Sequence, residues 1–525
     1  MKKYKFPAFI VAVVLVAVII GRYFLRIKTG TIYGDDLLFF KYHFTFKTLS
    51  DYMICIRTDQ KLRPVFGIIC NSVIGLFGKK MYLYYLFNVG MQTAITFLFA
   101  LIANLFLRSP ILSLLTGMLV GMSRFAFYNI TQLCCGGPLE GAAMVFFLLT
   151  LYFILKTFVH TDYTQRQNFY ALLYSLLAAN LAIYTHERYI VLFPFIILVA
   201  LLYPLKNRLS LQQKAALCLL PALSIALNVF IKVYLLGFHF FVGTGGTQMK
   251  FSPSLALGFL KDGLLSIVQV NTGPQYLVGM PYESLSSGDQ RLVIAVVIGL
   301  ISIFVLYLVG LIRSLRGKDK PGMKSMYIIL FLFILLFLCM VPAVATIRLE
   351  HRWLQASFSV FILILVVAFS NINTGRKTVK SVLLAAFLLL FFYTDYTYLY
   401  NGNDHFFIKQ TAESTACLFK EAMYNDRIKK DINTLYIDEG HRHENYEIYL
   451  GWIIADGYNF DYYQGKPKRI VYIDSLKYTD PEQVAELKNF NRQTDQVIYV
   501  REDIIDATDE YLQGRAKFPG GESKQ

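Results

Sequence analysis

Residues 1–40 read MKKYKFPAFIVAVVLVAVIIGRYFLRIKTGTIYGDDLLFF and indicate a membrane protein. A basic start precedes an apolar run, and crossing about 30 Å of hydrocarbon takes about 20 helical residues of that kind. RYFLRIK follows in place of a small-residue cleavage site, so we expect an uncleaved first transmembrane helix and not a signal peptide. Two adjacent carboxylates, Asp35 and Asp36, come soon after this helix. A carboxylate so close to lipid is costly unless it is solvated, paired or used.

The composition is that of a polytopic membrane protein. Apolar residues make up 56% of the chain and charged residues only 16%. The net charge of +16 is typical of nucleic-acid-binding proteins as well, but many lysines and arginines lie in short loops between apolar runs, as the positive-inside rule predicts. We therefore interpret the charge as a sign of topology and expect no nucleic-acid partner. The seven cysteines show no disulfide framework and no metal-type spacing.

Apolar runs predict a fold of about 11 transmembrane helices. They cover residues 6–25, 81–107, 110–130, 139–156, 169–185, 189–205, 214–236, 291–312, 325–345, 353–370 and 379–398. Segment 62–80 is apolar but short and broken by glycine. If it crossed the membrane, every later basic loop would face outward, so we expect it to lie in the membrane interface.

This arrangement predicts an integral, multi-pass protein of the plasma (cytoplasmic) membrane with a cytoplasmic N-terminus. Residues 1–398 would form the transmembrane domain, with outer loops at 26–80 and 237–290. Residues 399–525 are more polar, and strand patterns at 433–438, 469–474 and 496–500 alternate with helical patterns. This alternation predicts a small α/β domain, on the extracytoplasmic side.

Asp35 and Asp36 have two interpretations. They could cap the short helix LLFFKYHF, since acidic residues favour helix N-termini. They could also act as a general base on a lipid-linked substrate at the membrane surface. Both interpretations stay open on the residues alone.

The surroundings of this pair resemble the GT-C class of integral-membrane glycosyltransferases. The order is a first helix, the acidic pair, KYHF, KLRP and then an apolar interfacial segment. The resemblance covers roughly residues 1–400 and implies a GT-C-like fold and a polyprenyl-phosphate-linked sugar donor. It also implies that Asp35 or Asp36, with Asp35 favoured, deprotonates the acceptor hydroxyl.

Such a reaction releases a polyprenyl phosphate, whose charge must be met by fixed cations. Several polar residues at predicted outer helix ends are candidates for binding it. They are Arg63 in KLRP, His186, Glu187 and Arg188 in THERY, and Arg348, His351 and Arg352 in RLEHR. The alternative for each arginine is that it reaches toward lipid headgroups. Glu140 in CCGGPLEG could contact a sugar hydroxyl or a metal, but we favour a helix cap.

The sequence therefore predicts a membrane glycosyltransferase, with hexosyl transfer expected. The acceptor, a cell-surface glycan, lipid or protein, stays open. The alternatives are a transporter or flippase and a polymerase of lipid-linked glycans. We assign no metal site and no certain cofactor; a divalent cation stays open, since some enzymes of this class use one and others do not.

Overall fold

The computed structural model describes most of the chain. The described residues are 5–28, 36, 39, 43, 48, 60–78, 80–160, 162–204, 209–239, 252–272, 280–316, 320–346, 349–372, 377–401, 421–422, 425–429, 432–438, 469–473, 490–500 and 504–509. Contacts divide the chain into two compact units. The first unit takes in residues 1–28, 47–76 and 82–406, and the second takes in 29–46, 77–81 and 407–525.

Helices dominate the first unit. They are Lys5–Phe24 (α1), Pro64–Phe77 (α2), Met81–Leu107 (α3), Pro110–Gly121 (α4), Tyr128–Thr131 (α5), Ala142–Val159 (α6), Gln165–Thr185 (α7), Leu192–Leu202 (α8), Leu211–Val229 (α9), Pro253–Ile267 (α10), Ser287–Arg316 (α11), Lys320–Thr346 (α12), His351–Asn371 (α13) and Lys377–Asn401 (α14). Short 3₁₀ turns occur at Arg124–Ala126, Glu187–Val191 and Tyr282–Ser284, and π turns occur at Gly136–Gly141 and Phe230–Leu235.

Each of the eleven predicted segments contains a helix in the structure. Among the described residues, seven helices are long and apolar enough to cross a membrane. An eighth crossing results if α4 and the segment Arg124–Thr131, which meet at a bend of 53°, count as one. The total of eleven stays a prediction. Helix α2 has 14 residues, about 21 Å at 1.5 Å per residue, which is too short to cross.

Local signals explain where several helices begin. Thr164 accepts a hydrogen bond from the backbone N–H of Gln167, whose side chain bonds back to the Thr164 N–H. Ser210 and Gln213 make the same capping box ahead of α9. Such reciprocal bonds satisfy two backbone N–H groups that a helix start leaves without partners. Both helices therefore start at a residue that the sequence specifies.

Helix α13 lies at the centre of the first unit. In the most apolar 18-residue stretch of this helix, 94% of the residues are buried inside the unit. The most apolar 18-residue stretch of Leu211–Leu235 is only 17% buried. The side chains of α13 belong to one continuous hydrophobic core shared with α3, α6, α7 and α12. Nearly all of its side chains therefore pack against other parts of the unit and leave little surface uncovered. Residues at its two ends are thereby fixed relative to the rest of the bundle.

A buried ion pair ties the bend after α4 to two later helices. The backbone N–H of Arg124 donates to Asp395 Oδ2 at 2.6 Å, and Arg124 Nε lies 3.3 Å from Oδ1. Arg124 Nη2 donates to the Ser266 carbonyl at 2.7 Å, and the Tyr398 ring lies 4.3 Å from the guanidinium carbon. Both charged side chains are fully enclosed. The pair therefore joins α10 and α14 to the broken helix.

The second unit contains a four-stranded sheet with the order β2-β1-β3-β4. Its strands are Thr434–Asp438 (β1), Arg469–Ile473 (β2), Asp495–Val500 (β3) and Ile504–Asp506 (β4). Strands β2 and β3 both run parallel to β1, and β4 is antiparallel to β3. The three predicted strands are confirmed, and β4 is an addition to the prediction. The helical patterns predicted at 444–457 and 481–490 lie outside the described residues, except for Phe490 at the end of the second.

We expect Asp395→Asn to destabilise the first unit by about 3–5 kcal/mol, because it leaves the Arg124 guanidinium buried without its counter-charge. The double variant Arg124→Met/Asp395→Leu removes both charges and should recover most of that loss. Thermal unfolding of the purified protein measures both effects. Asp509→Asn, which breaks the exposed ion pair with Arg492, is the matched control and should cost at most about 1 kcal/mol. Equal losses in the single and double variants would contradict this account.

Candidate functional site: a buried charge cluster

Seven charged or titratable residues meet where four segments of the first unit come together. The segments are the residue before α2, the π turn Gly136–Gly141, the 3₁₀ turn Glu187–Val191 with its cap, and the start of α13. The residues are Arg63, Glu140, His186, Glu187, Arg188, Glu350 and Arg352. We call this set the charge cluster.

The π turn places Glu140 inside the unit. The N–H groups of Leu139 and Glu140 both bond to the Cys135 carbonyl, which widens the helix by one residue. Gly137 donates its N–H to Asn88 Oδ1 at 3.1 Å, and a Cβ added at Gly137 would collide with that side chain. The glycine is therefore needed for the turn to approach α3. Glu140 retains only 1% of its exposure as a result.

Each arginine of the charge cluster is paired with a glutamate. Arg63 binds Glu187 through two bonds, Nε to Oε2 at 2.5 Å and Nη2 to Oε1 at 2.6 Å. This planar, two-bond geometry is the strongest arrangement available to a guanidinium.

The other two arginines are paired with enclosed glutamates. Arg188 Nη2 donates to Glu140 Oε2, and Arg352 Nε donates to Glu350 Oε2 at 2.5 Å. The Arg352 guanidinium also lies 4.1 Å over the Tyr128 ring. The ring covers a face of the guanidinium without using its hydrogen-bond donors.

Longer contacts join the three pairs into one network. Glu140 Oε1 lies 3.8 Å from His186 Nε2 and 4.0 Å from Arg352 Nε. His186 Nδ1 lies 3.7 Å from Glu187 Oε2. The network thus contains a buried carboxylate oxygen, Glu140 Oε1, that accepts no hydrogen bond from the described residues and lies within 4.0 Å of His186 and Arg352.

His186 is held in its neutral form. Burial lowers its pKa well below the usual 6.5, and the positive charges of Arg188 and Arg63 lower it further. The geometry agrees, because the Arg188 backbone N–H donates to His186 Nδ1 at 3.4 Å and so requires an unprotonated nitrogen there. The charge of the cluster is therefore carried by its arginines and glutamates.

Exposure differs among the three carboxylates. Glu140 and Glu350 are enclosed, whereas 42% of the Glu187 side chain is exposed. Desolvation raises the pKa of Glu187, but the charge of Arg63 more than offsets it and holds that pKa well below 4.5, with Lys61 acting in the same direction. Lys232 also interacts electrostatically with Glu187. The accessible edge of the cluster is thus the edge richest in cations.

This arrangement is suited to binding an anion. Three guanidiniums converge, and one of them is held by a carboxylate that water can reach. An incoming phosphate could take the place of the Glu187 carboxylate on Arg63, because both present two oxygens to the guanidinium. Among the described residues, no group of three or more His, Cys, Asp or Glu side chains has a geometry that could hold a metal ion.

The structure brings together five of the nine predicted site residues: Arg63, His186, Glu187, Arg188 and Arg352. His351 is buried next to the cluster, with its ring edge-on to Phe125 at 5.5 Å between centroids. Asp36 belongs to the second unit and is fully buried. Asp35 and Arg348 lie outside the described residues.

Two members of the cluster were missed as site residues. The helix-cap interpretation of Glu140 is wrong, since its carboxylate binds Arg188 and α6 has no side-chain cap. A lone acid inside an apolar span was the available signal for Glu140. Glu350 stands in RLEHR between two predicted site residues, so proximity in sequence was its signal.

Comparison with solved structures identifies the fold. The chain resembles ArnT from Cupriavidus metallidurans bound to undecaprenyl phosphate, with a TM-score of 0.50, 12% sequence identity and coverage of 97% of this chain and 95% of that chain. ArnT in the apo state gives a TM-score of 0.49 at 12% identity, covering 98% of this chain and 95% of that one. No protein-family model and no curated protein matches the sequence.

At this identity the likeness establishes the fold. The predicted GT-C-like architecture is confirmed, and the fold together with the apolar helices makes the chain an integral membrane protein. The orientation of the helices in the membrane stays a prediction.

The depressed pKa of His186 predicts acid sensitivity. Below its usual pKa of 6.5, the unfolded chain takes up a proton at His186 while the folded protein does not. Stability should therefore fall as the pH drops from 6.5 to about 5. The contribution of Glu187 is lost mainly as the pH falls through 4.5, so of these two groups the histidine dominates between pH 6.5 and 5. In thermal unfolding, His186→Gln should lose less of its Tm across the window than the wild type.

The matched control is His160→Gln, since the His160 side chain is 40% exposed and lies outside the cluster. Its Tm should follow the wild-type pH dependence. An unchanged slope in His186→Gln would show that the acid sensitivity arises elsewhere.

Proposed function

We propose that this protein is a membrane glycosyltransferase that transfers a sugar, expected to be a hexose, from a polyprenyl-phosphate-linked donor to a hydroxyl of a cell-surface glycan, lipid or protein. One observation carries the proposal: a cluster of three arginines at helix ends within a fold shared with a protein that binds undecaprenyl phosphate. The lipid chain of the donor would lie in the bilayer, and the acceptor would enter from outside.

The reaction needs two kinds of group. The acceptor O–H gives its proton to a base while its oxygen attacks the anomeric carbon from the face opposite the phosphate. The bond from that carbon to the phosphate oxygen breaks, and the polyprenyl phosphate leaves with the electron pair. Fixed cations must then meet the charge that grows on the departing oxygens.

The charge cluster is the proposed phosphate site. Arg63 is the arginine that a ligand reaches first, because its partner Glu187 is the exposed carboxylate. Arg188 and Arg352 stand behind it, each fixed by a buried glutamate. Because these arginines are already held in place, little conformational entropy is lost when they bind the negative charge that develops on the leaving phosphate. Glu140, with one carboxylate oxygen available, is the proposed partner of a sugar hydroxyl.

The proposed base is Asp35 or Asp36, with Asp35 favoured. Support for this role comes from the resemblance of the first 80 residues to the GT-C pattern. Arg348 and His351, also expected near the phosphate, keep that role as a proposal. A divalent cation remains open as an additional ligand of the donor phosphate.

A transporter or flippase remains the second candidate, favoured by the broken span at the 53° bend and by the buried Arg124–Asp395 pair. Broken helices and buried charges are typical of secondary transporters. The two functions differ in their products, because transfer releases polyprenyl phosphate and translocation does not.

The test combines cells and purified protein. In a deletion strain, the wild-type chain should restore a surface sugar, measured by chemical analysis of the glycans. Asp35→Asn should lower its transfer by about 100-fold or more, the usual cost of losing a general base. Asp289→Asn, which alters only the cap of α11, is the control for an equivalent loss of charge.

Binding of undecaprenyl phosphate to the purified protein tests the cluster separately. Arg63→Gln should weaken binding by about tenfold or more, since a charge-assisted contact is lost. Arg291→Gln, at the exposed start of α11, is the matched arginine control and should leave binding unchanged. Asp35→Asn should also bind normally while failing to transfer. Full transfer by both Asp35→Asn and Asp36→Asn would exclude the proposed base and favour transport or polymerisation.

A further inference from the structure

A polar cavity lies in the first unit, away from the charge cluster. It has a volume of about 380 Å³ and is lined by the ends of α3, α6, α12 and α13. Arg108 and Lys324 supply two cations, and Ser325 and Asn371 supply polar groups. No acidic side chain is among the described residues that line it. Its lining therefore suits an anion.

The cavity and the charge cluster occupy opposite ends of the same helices. Helix α13 begins at the cluster with Arg352 and reaches the cavity at Asn371. The span Gly136–Val159 likewise has Glu140 near its start and ends at Val159, which lines the cavity. About 19 residues at 1.5 Å each separate the two sites by about 28 Å, close to the thickness of the hydrocarbon layer. The two sites would thus face opposite leaflets.

Arg108 holds a conformation that favours glycine. Its φ is +51°, and its N–H bonds to the Asn104 carbonyl, so it closes the end of α3 in the left-handed region. Glycine would adopt this conformation without strain. In the described part of the chain, the guanidinium makes no ion pair. Arg108 thus holds an exposed charge at a backbone position that glycine would occupy with less strain, and that charge is available to an anion in the cavity.

The partners of Lys324 and the nearby apolar surface narrow the choice of ligand. Lys324 Nζ donates to the Val159 carbonyl at 3.0 Å, which fixes the ammonium at the cavity wall. Leu101, nearly two helical turns before the end of α3, is 53% exposed. Tyr327, one turn from Lys324, is exposed as well. Apolar and aromatic surface next to the cations suits acyl chains beneath an anionic headgroup.

We propose that this cavity binds the phosphodiester headgroup of an anionic membrane lipid, in the leaflet opposite the charge cluster. Arg108 and Lys324 contact the phosphate oxygens, and the acyl chains follow the exposed faces of α3 and α12. The predicted topology places this end in the cytoplasmic leaflet, where basic loops concentrate. The site is independent of the proposed transferase chemistry.

The experiment compares the wild-type protein in nanodiscs of phosphatidylcholine with an increasing fraction of phosphatidylglycerol. Thermal unfolding should show stabilisation that saturates with phosphatidylglycerol. Arg108→Gly should fold at least as well in phosphatidylcholine, because it relieves the backbone, but should need about tenfold more phosphatidylglycerol for half of the effect. Arg108→Gln, which removes the charge and keeps a side chain, should show the same weakened response.

Lys156→Gln is the matched control. Lys156 lies near the end of α6, over the Tyr152 ring, and does not line the cavity. This variant should respond to phosphatidylglycerol as the wild type does. An equal loss in Lys156→Gln would reveal a general effect of surface charge and overturn the proposal, as would a full response in both Arg108 variants. If inorganic phosphate reproduced the stabilisation, the site would bind a soluble anion, and the assignment to lipid would be wrong.

Discussion

A charged side chain enclosed among apolar helices is stable only when an opposite charge meets it at short range. This constraint governs both polar regions of the helical core. In the charge cluster every arginine has a glutamate, and at the bend after α4 the single pair Arg124–Asp395 follows the same rule. Removing water from ions costs several kcal/mol each, so such pairs add little net stability. They instead fix which segments must come together.

The cluster combines rigidity with one accessible contact. Glu140 and Glu350 are enclosed and hold Arg188 and Arg352 in place, whereas Glu187 is partly in water. A ligand anion can exchange with the Glu187 carboxylate without opening the pairs of the enclosed glutamates. The neutral His186 lies between the enclosed Glu140 and the exposed Glu187, and it adds no charge of its own. The site can therefore bind an anion, and when no anion is bound each arginine is still paired with a glutamate.

Much of the first unit could be predicted because the length of an apolar run is a direct physical requirement of the bilayer. All eleven predicted segments contain a helix, and segment 62–80, expected in the membrane interface, contains the short helix α2. The three predicted strands also followed from alternation and β-branched residues. Strand β4, with three residues, is too short to leave such a pattern. The π turn was equally hidden, since its glycines also fit an ordinary turn.

The sequence predicted most residues of the candidate site, but it did not predict which arginine pairs with which glutamate. THERY, KLRP and RLEHR were expected near one another because they lie at helix ends on one predicted side. Which carboxylate meets which arginine depends on packing between distant segments: Arg63 and Glu187 are 124 positions apart, and Arg124 and Asp395 are 271 apart. Arg124 was overlooked because it stands inside an apolar run, where its partner gives no local signal.

The near-complete enclosure of α13 has a consequence for how the first unit opens. Backbone amides exchange with solvent through the least costly fluctuation that exposes them, and a helix surrounded on all sides has no small fluctuation of that kind. The amides of α13 should therefore exchange with deuterium only through global unfolding. Leu211–Leu235, with 17% of its most apolar stretch buried, can separate from the rest of the unit at lower cost. Helix α13 should therefore stay in place in fluctuations that separate the peripheral helix Leu211–Leu235 from the unit.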